Sequence, residues 1–171
     1  LVSFTGREHA DDVLSRGGAI VVTGHFGSWE LLGAAASAAG MPVDFLVGEQ
    51  QNRMVDRLMN DLRRSAGIGT IPRGVAARGI FGSLKQGRLV AMLSDQEARR
   101  GAGILVDFFG IPSFTYPGAA QFAYRAGVPI LFCFIARRPD ETHEAVFLPP
   151  IEVDAEAERE AEVHRLSLIH I

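Results

Sequence analysis

A histidine can take a proton from a hydroxyl near neutral pH. A carboxylate on its other ring nitrogen fixes the tautomer and stabilises the imidazolium that forms. The stretch Gly24-His25-Phe26-Gly27-Ser28-Trp29-Glu30 holds both residue types. Residues five apart inside a helix diverge by about 140°, so a contact between His25 and Glu30 requires a turn, which the glycines allow. The same spacing also fits a turn histidine beside a surface glutamate that complements a helix dipole.

Three further places carry groups suited to chemistry. Arg63 borders an apolar stripe of Met54, Val55, Leu58, Met59 and Leu62, with Arg53, Arg57 and Arg64 away from the stripe's centre. Arg63 could therefore extend over a sheet edge toward an anionic substrate, or snorkel on a solvated face. Ser94-Asp95-Gln96-Glu97 follows an apolar strand, where α/β sheets place ligands; Asp95 and Gln96 there could hold a substrate or cap the loop. Cys133, the sole cysteine, lies in Phe132-Cys133-Phe134-Ile135, reads as buried packing, and excludes an internal disulfide. Neither a Gly-x-Ser-x-Gly elbow nor a His-Glu-x-x-His helix occurs, so a serine or zinc hydrolase has no signature here.

The elements that must position these groups alternate. Ala19 to Thr23 reads as a buried strand and 28–39 as a helix with Ser28 as its N-cap and Gly40-Met41-Pro42 as its stop. Then come a strand at 43–47, a helix at 52–66, a short strand at 68–71, a helix at 75–86 and a strand at 89–94. Ile104 to Phe109 reads as a strand, Ile111-Pro112 as a turn, and Thr115-Tyr116-Pro117 as the start of a helix ending at Gly127. Strands at 129–136 and 145–148, with a hairpin around Pro139-Asp140, complete the pattern. Repeated βα units predict an α/β fold with a mostly parallel sheet flanked by helices.

Length and composition bound the rest. A chain of 171 residues with 47% hydrophobic and 22% charged residues reads as a single domain, 1–171. No apolar run reaches the roughly 18–20 residues of a membrane span, and the amino terminus has no export-leader pattern. A net charge of −3 gives no nucleic-acid signal. Of the 17 basic residues only Lys85 is a lysine, and arginine pairs stand at 63–64, 99–100 and 137–138. This bias suits phosphate or carboxylate ligands, or reflects genome composition.

Taken in order, the motifs resemble the bacterial lipid A biosynthesis (lysophospholipid-type) acyltransferase family, from about Gly18 to Pro150. The matching blocks are Gly24-His25-Phe26 with Glu30, which gives that family's His-x4-Glu; the Asn52 segment leading to Arg63; Leu93-x-Asp95-Gln96; Asp107-Phe108-Phe109-Gly110; and Thr115-x-Pro117-Gly118-Ala119. The resemblance implies a glycerolipid-acyltransferase-like fold and transfer of a fatty acyl group from a thioester, on acyl carrier protein or CoA, to a hydroxyl of a lipid A precursor. It implies no metal or organic cofactor, and work at the cytoplasmic face of the bacterial inner membrane.

In that reading His25 is the base and Glu30 orients and charges its imidazole. Arg63 stabilises the oxyanion, with the N–H groups around Gly27 and Ser28 as rivals for that role. Asn52, Arg64, Asp95 and Gln96 join Gly27 and Ser28 in holding substrate. Alternative acceptors are a phosphatidylinositol mannoside, a lysophospholipid or an ornithine lipid, and an inactive lipid-binding domain is a further alternative. The family's hydrophobic anchor and tryptophan- and arginine-containing ending have no counterpart here, so a truncated domain is expected, with 166–171 as a foreign tail.

Overall fold

The computed structural model describes residues 1–99 and 101–168, so Arg100 and, of the tail expected at 166–171, Ile169, His170 and Ile171 lie outside the described residues, while Leu166 and Ser167 are buried in the last helix. Fifteen principal elements follow in order: β1 (Val2–Thr5), α1 (Arg7–Ser15), β2 (Ala19–Thr23), α2 (Trp29–Ala38), β3 (Val43–Val47), α3 (Arg53–Ser65), β4 (Gly69–Pro72), α4 (Ala76–Lys85), β5 (Leu89–Leu93), β6 (Ile104–Phe108), β7 (Ile111–Thr115), α5 (Gly118–Ala126), β8 (Ile130–Arg137), β9 (His143–Phe147) and α6 (Arg159–Leu168).

Seven strands form one sheet in the order β1-β9-β8-β2-β5-β3-β4. From β8 to β4 every pairing is parallel, and β9 joins β8 antiparallel before pairing in parallel with β1. The central strands are apolar on both faces because helices cover both. Val21, Phe45, Ala91 and Leu131 meet α1 and α2 on one side. Ile20, Val90, Met92 and Ile130 meet α4, α5 and α6 on the other. The α/β fold expected from the alternation is the one observed.

Two local expectations are corrected. Ile111-Pro112 is strand rather than turn, and Thr115 closes β7 rather than opening a helix. The chain reverses two residues earlier, at Phe109 and Gly110, whose φ values of 51° and 81° are both positive as a two-residue hairpin loop demands. The resulting β6–β7 hairpin stands apart from the main sheet.

The second correction concerns α3. Its helical spacing suggested an apolar stripe facing the sheet. The helix is rolled so that Arg63 is buried while Met54, Val55, Leu58 and Leu62 face outward. The cause is positional: α3 packs beside the edge strand β4, and its inward arc carries the Arg63 contacts described below.

Candidate active site

β2 and β5 are neighbours, with Thr23 opposite Leu93 and the Ser94 N–H donating to the Thr23 carbonyl at 3.0 Å. That register carries the next residues of both strands out side by side at the carboxyl edge of the sheet, where His25 meets Asp95. Asp95 Oδ2 accepts from the His25 backbone N–H at 2.6 Å, and Oδ1 lies 2.8 Å from the ring Nδ1. An ionised carboxylate only accepts, so Nδ1 bears a proton, and in the neutral ring the lone pair is left on Nε2. Partial burial pushes the Asp95 carboxyl up, but the hydrogen bonds from the His25 ring and backbone outweigh it and hold the group below the usual carboxylate range.

Two glycines shape this turn. At Gly24 a Cβ would stand 3.0 Å from Asp95 Oδ2. Gly27 has φ +64°, and a Cβ there would collide with the Ile135 carbonyl. Ser28 then starts α2, its Oγ accepting from the Leu31 N–H at 3.4 Å.

Glu30, expected to orient the imidazole, faces Arg63 instead. Its oxygens accept from Arg63 Nε at 3.2 Å each and from Nη2 at 2.6 Å, while Arg63 Nη1 donates to Asn60 Oδ1 at 3.2 Å. The guanidinium carbon lies 5.4 Å from the centroid of Trp29. A buried guanidinium needs a carboxylate close by, and Glu30 in the first turn of α2 supplies it. The same geometry corrects the oxyanion role expected of Arg63, since all three of its nitrogens are turned to Glu30 and Asn60.

Of the remaining expected residues, Asn52 is the N-cap of α3, its Oδ1 accepting from the N–H groups of Met54 at 2.9 Å and Val55 at 3.3 Å. Arg64 is exposed and paired with Asp61 at 2.9 Å. Gln96 is exposed in the wall of a cavity beside Asp95, and Gly27 and Ser28 are exposed next to His25 in the chain. Sequence reasoning missed Trp29, the only tryptophan. Its indole packs against Phe45 at 5.3 Å and meets the His25 ring edge-on at 6.5 Å, so it touches both the histidine and the arginine. Its adjacency to Glu30 in a helix's first turn was the available signal.

The cavity, about 580 Å³ and mainly apolar, lies between the carboxyl ends of β2 and β5, the middle of β8 and the β6–β7 hairpin. Val22, Phe108, Ile111, Phe114, Phe132 and Phe134 line it, and Asp95 stands in its wall. That volume is within the ~300–1,000 Å³ of small-molecule sites. Cys133 also lines it, but burial pushes its thiol up to about 12, so it stays protonated. Among the described residues no group of three or more His, Cys, Asp or Glu side chains is placed to hold a metal ion.

The chain matches the family described as "Bacterial lipid A biosynthesis acyltransferase" over residues 1–168. It is also similar to the phosphatidylinositol mannoside acyltransferase of two Mycobacterium tuberculosis strains, 26% identical in each case over 131 residues. Those alignments cover 74% of this chain and 41% of the relative, so the chain spans about two fifths of the length of these curated relatives.

Proposed function

The chain belongs to the bacterial lipid A biosynthesis acyltransferase family, and we propose that it moves a fatty acyl group from a thioester to a hydroxyl of a lipid A precursor. The observation that carries this reading is the His25–Asp95 pair at the mouth of the sheet. Asp95 holds the Nδ1 side of the ring at 2.8 Å and also stands in the wall of a cavity suited to an acyl chain.

In the reaction His25 Nε2 takes the proton of the acceptor hydroxyl as its oxygen attacks the thioester carbonyl. Asp95 stabilises the imidazolium. N–H groups at Gly27, Ser28 and the start of α2 point their partial positive charge at the developing oxyanion. Collapse of the tetrahedral intermediate breaks the carbon–sulfur bond, leaves the new ester, and returns the proton from His25 to the departing thiolate. The step balances with acyl carrier protein or CoA as the thiol and without a metal or organic cofactor. Glu30 and Arg63 hold the first turn of α2 in place for it. Asn52, Arg64 and Gln96 are proposed contacts to substrate only at the rim, since Asn52 and Arg64 already have structural partners.

The similarity to phosphatidylinositol mannoside acyltransferases favours a second reading, the same chemistry on a phosphatidylinositol mannoside. Full-length enzyme offered acyl carrier protein and CoA thioesters with a lipid A precursor, a phosphatidylinositol mannoside, a lysophospholipid and an ornithine lipid decides between them. Ester formation on the lipid A precursor alone is the expected result. Transfer only to the mannoside establishes the second reading, and release of free acid with no ester on any acceptor overturns both.

A further inference from the structure

An amphipathic helix that turns its apolar row outward leaves that row to be covered by something else. In α3 the inward arc is Asp56, Met59, Asn60 and Arg63, while Met54, Leu58 and Leu62 are 82%, 58% and 55% exposed, with Val55 beside them. The row runs along about 12 Å of helix. Exposed apolar rows of this kind mark interaction surfaces.

The charges beside the row say what would cover it. Arg53 and Arg57 are exposed one turn apart and form no ion pair among the described residues. The acids of the helix are already committed: Asp61 to Arg64 at 2.9 Å, and Asp56 to the Gln50 N–H and Asn60. A second copy of the chain docked about a two-fold axis would set these arginines against their own counterparts, which like-charge repulsion opposes. A surface with apolar depth and anionic phosphates satisfies both the row and the arginines.

We propose that α3 is the membrane-docking element of this protein, lying in the plane of a bilayer that contains anionic lipid, with Met54, Leu58 and Leu62 entering the acyl boundary and Arg53 and Arg57 meeting lipid phosphates. The inference deepens the reading of the chain as a lipid acyltransferase and rests on it for its biological sense. α3 begins just after the carboxyl end of β3, at the edge of the sheet where His25 and Asp95 stand, and its inner face holds Glu30 through Arg63. Docking through its outer face would therefore set the bilayer along a flank of the molecule whose upper end, at Arg53 and Met54, is the edge of the sheet that carries His25.

The test uses the full-length protein with an environment-sensitive label at Leu58→Cys, and a control label at Ser15→Cys, which sits at the amino end of the sheet. Cys133 is buried and protonated and will not compete for label under native conditions. Vesicles of phosphatidylcholine with phosphatidylglycerol should blue-shift the label at 58, and brominated acyl chains should quench it, while the label at 15 stays unchanged. Pure phosphatidylcholine should give a much weaker response. Arg53→Gln combined with Arg57→Gln should weaken vesicle affinity about thirtyfold.

A label at 58 that ignores anionic vesicles overturns the proposal. One that is buried before vesicles are added, or that responds to protein concentration instead, also overturns it, showing that another segment or a second copy covers the face. Insertion by a protein that fails every transfer assay would sink the acyltransferase reading and leave this one standing; active enzyme with an unresponsive label would do the reverse.

Discussion

Two acid–base pairs spring from the same strand-to-helix turn and do opposite things. His25 and Asp95 have side chains 47% and 41% exposed and one ring nitrogen left over. Arg63 is 9% exposed against Glu30 at 32%, and its three nitrogens are all engaged. A pair that is to move a proton must keep one nitrogen open to an incoming hydroxyl. A pair that is to hold a helix start in place gains from having each nitrogen of its guanidinium engaged and most of its surface out of water. Trp29, against His25 on one side and Arg63 on the other, ties the exposed pair to the buried one.

The sharpest way to break this contrast is to remove each member in turn. His25→Ala should lower kcat by up to about 10⁴-fold with only a small loss in thermal melt, that of its exposed hydrogen bond to Asp95; full activity in that variant would end the catalytic account. Asp95→Asn should also cost up to about 10⁴-fold in kcat with little change in KM, because the ring loses the acceptor that fixes its tautomer. Glu30→Gln should affect stability more than kcat. If instead Glu30→Gln behaves like Asp95→Asn, and Asp95→Asn is nearly silent, the partnership expected from the sequence is the operative one.

Smaller effects separate the pairs by stability. Arg63→Met should destabilise the fold by about 2 kcal/mol in urea unfolding, less than the ~3–5 of a wholly buried pair because Glu30 keeps partial access to water. The smallest effect is on pH dependence. Asp95 has a folded value below its ordinary one, so the stability it adds is complete above about pH 4 and is lost as pH falls through the folded value. Thermal melts of the native chain and Asp95→Asn, followed downward from neutral pH, should keep a constant gap to about pH 4 and converge below it. A gap that narrows already near pH 6 would contradict the assignment.

Much of the fold was legible from local pattern. A β-branched run bounded by glycines gave β2, the Ser28 cap marked the start of α2, and Gly127 ended α5 with φ +63°. The hairpin at Phe109-Gly110 was harder to see, because its left-handed position carries a phenylalanine where asparagine or glycine is the usual cue. β1, α1 and α6 were not anticipated; their patterns are short and polar, and their covered faces depend on β9 and α5 as neighbours.

By itself the sequence determined that this chain builds βα units, that His25 follows a buried strand in a glycine turn, and that acids stand near it in the chain and beyond a second strand. Only the tertiary structure decided which acid reaches the imidazole. Strand order is a long-range property: pairing β2 with β5 sets position 25 beside position 95, seventy residues away along the chain. Packing α3 against α2 in turn commits the nearer acid to Arg63. Helical periodicity likewise located the apolar row of α3, but the roll of the helix followed from a buried charge that needed a partner, and periodicity carries no information about that.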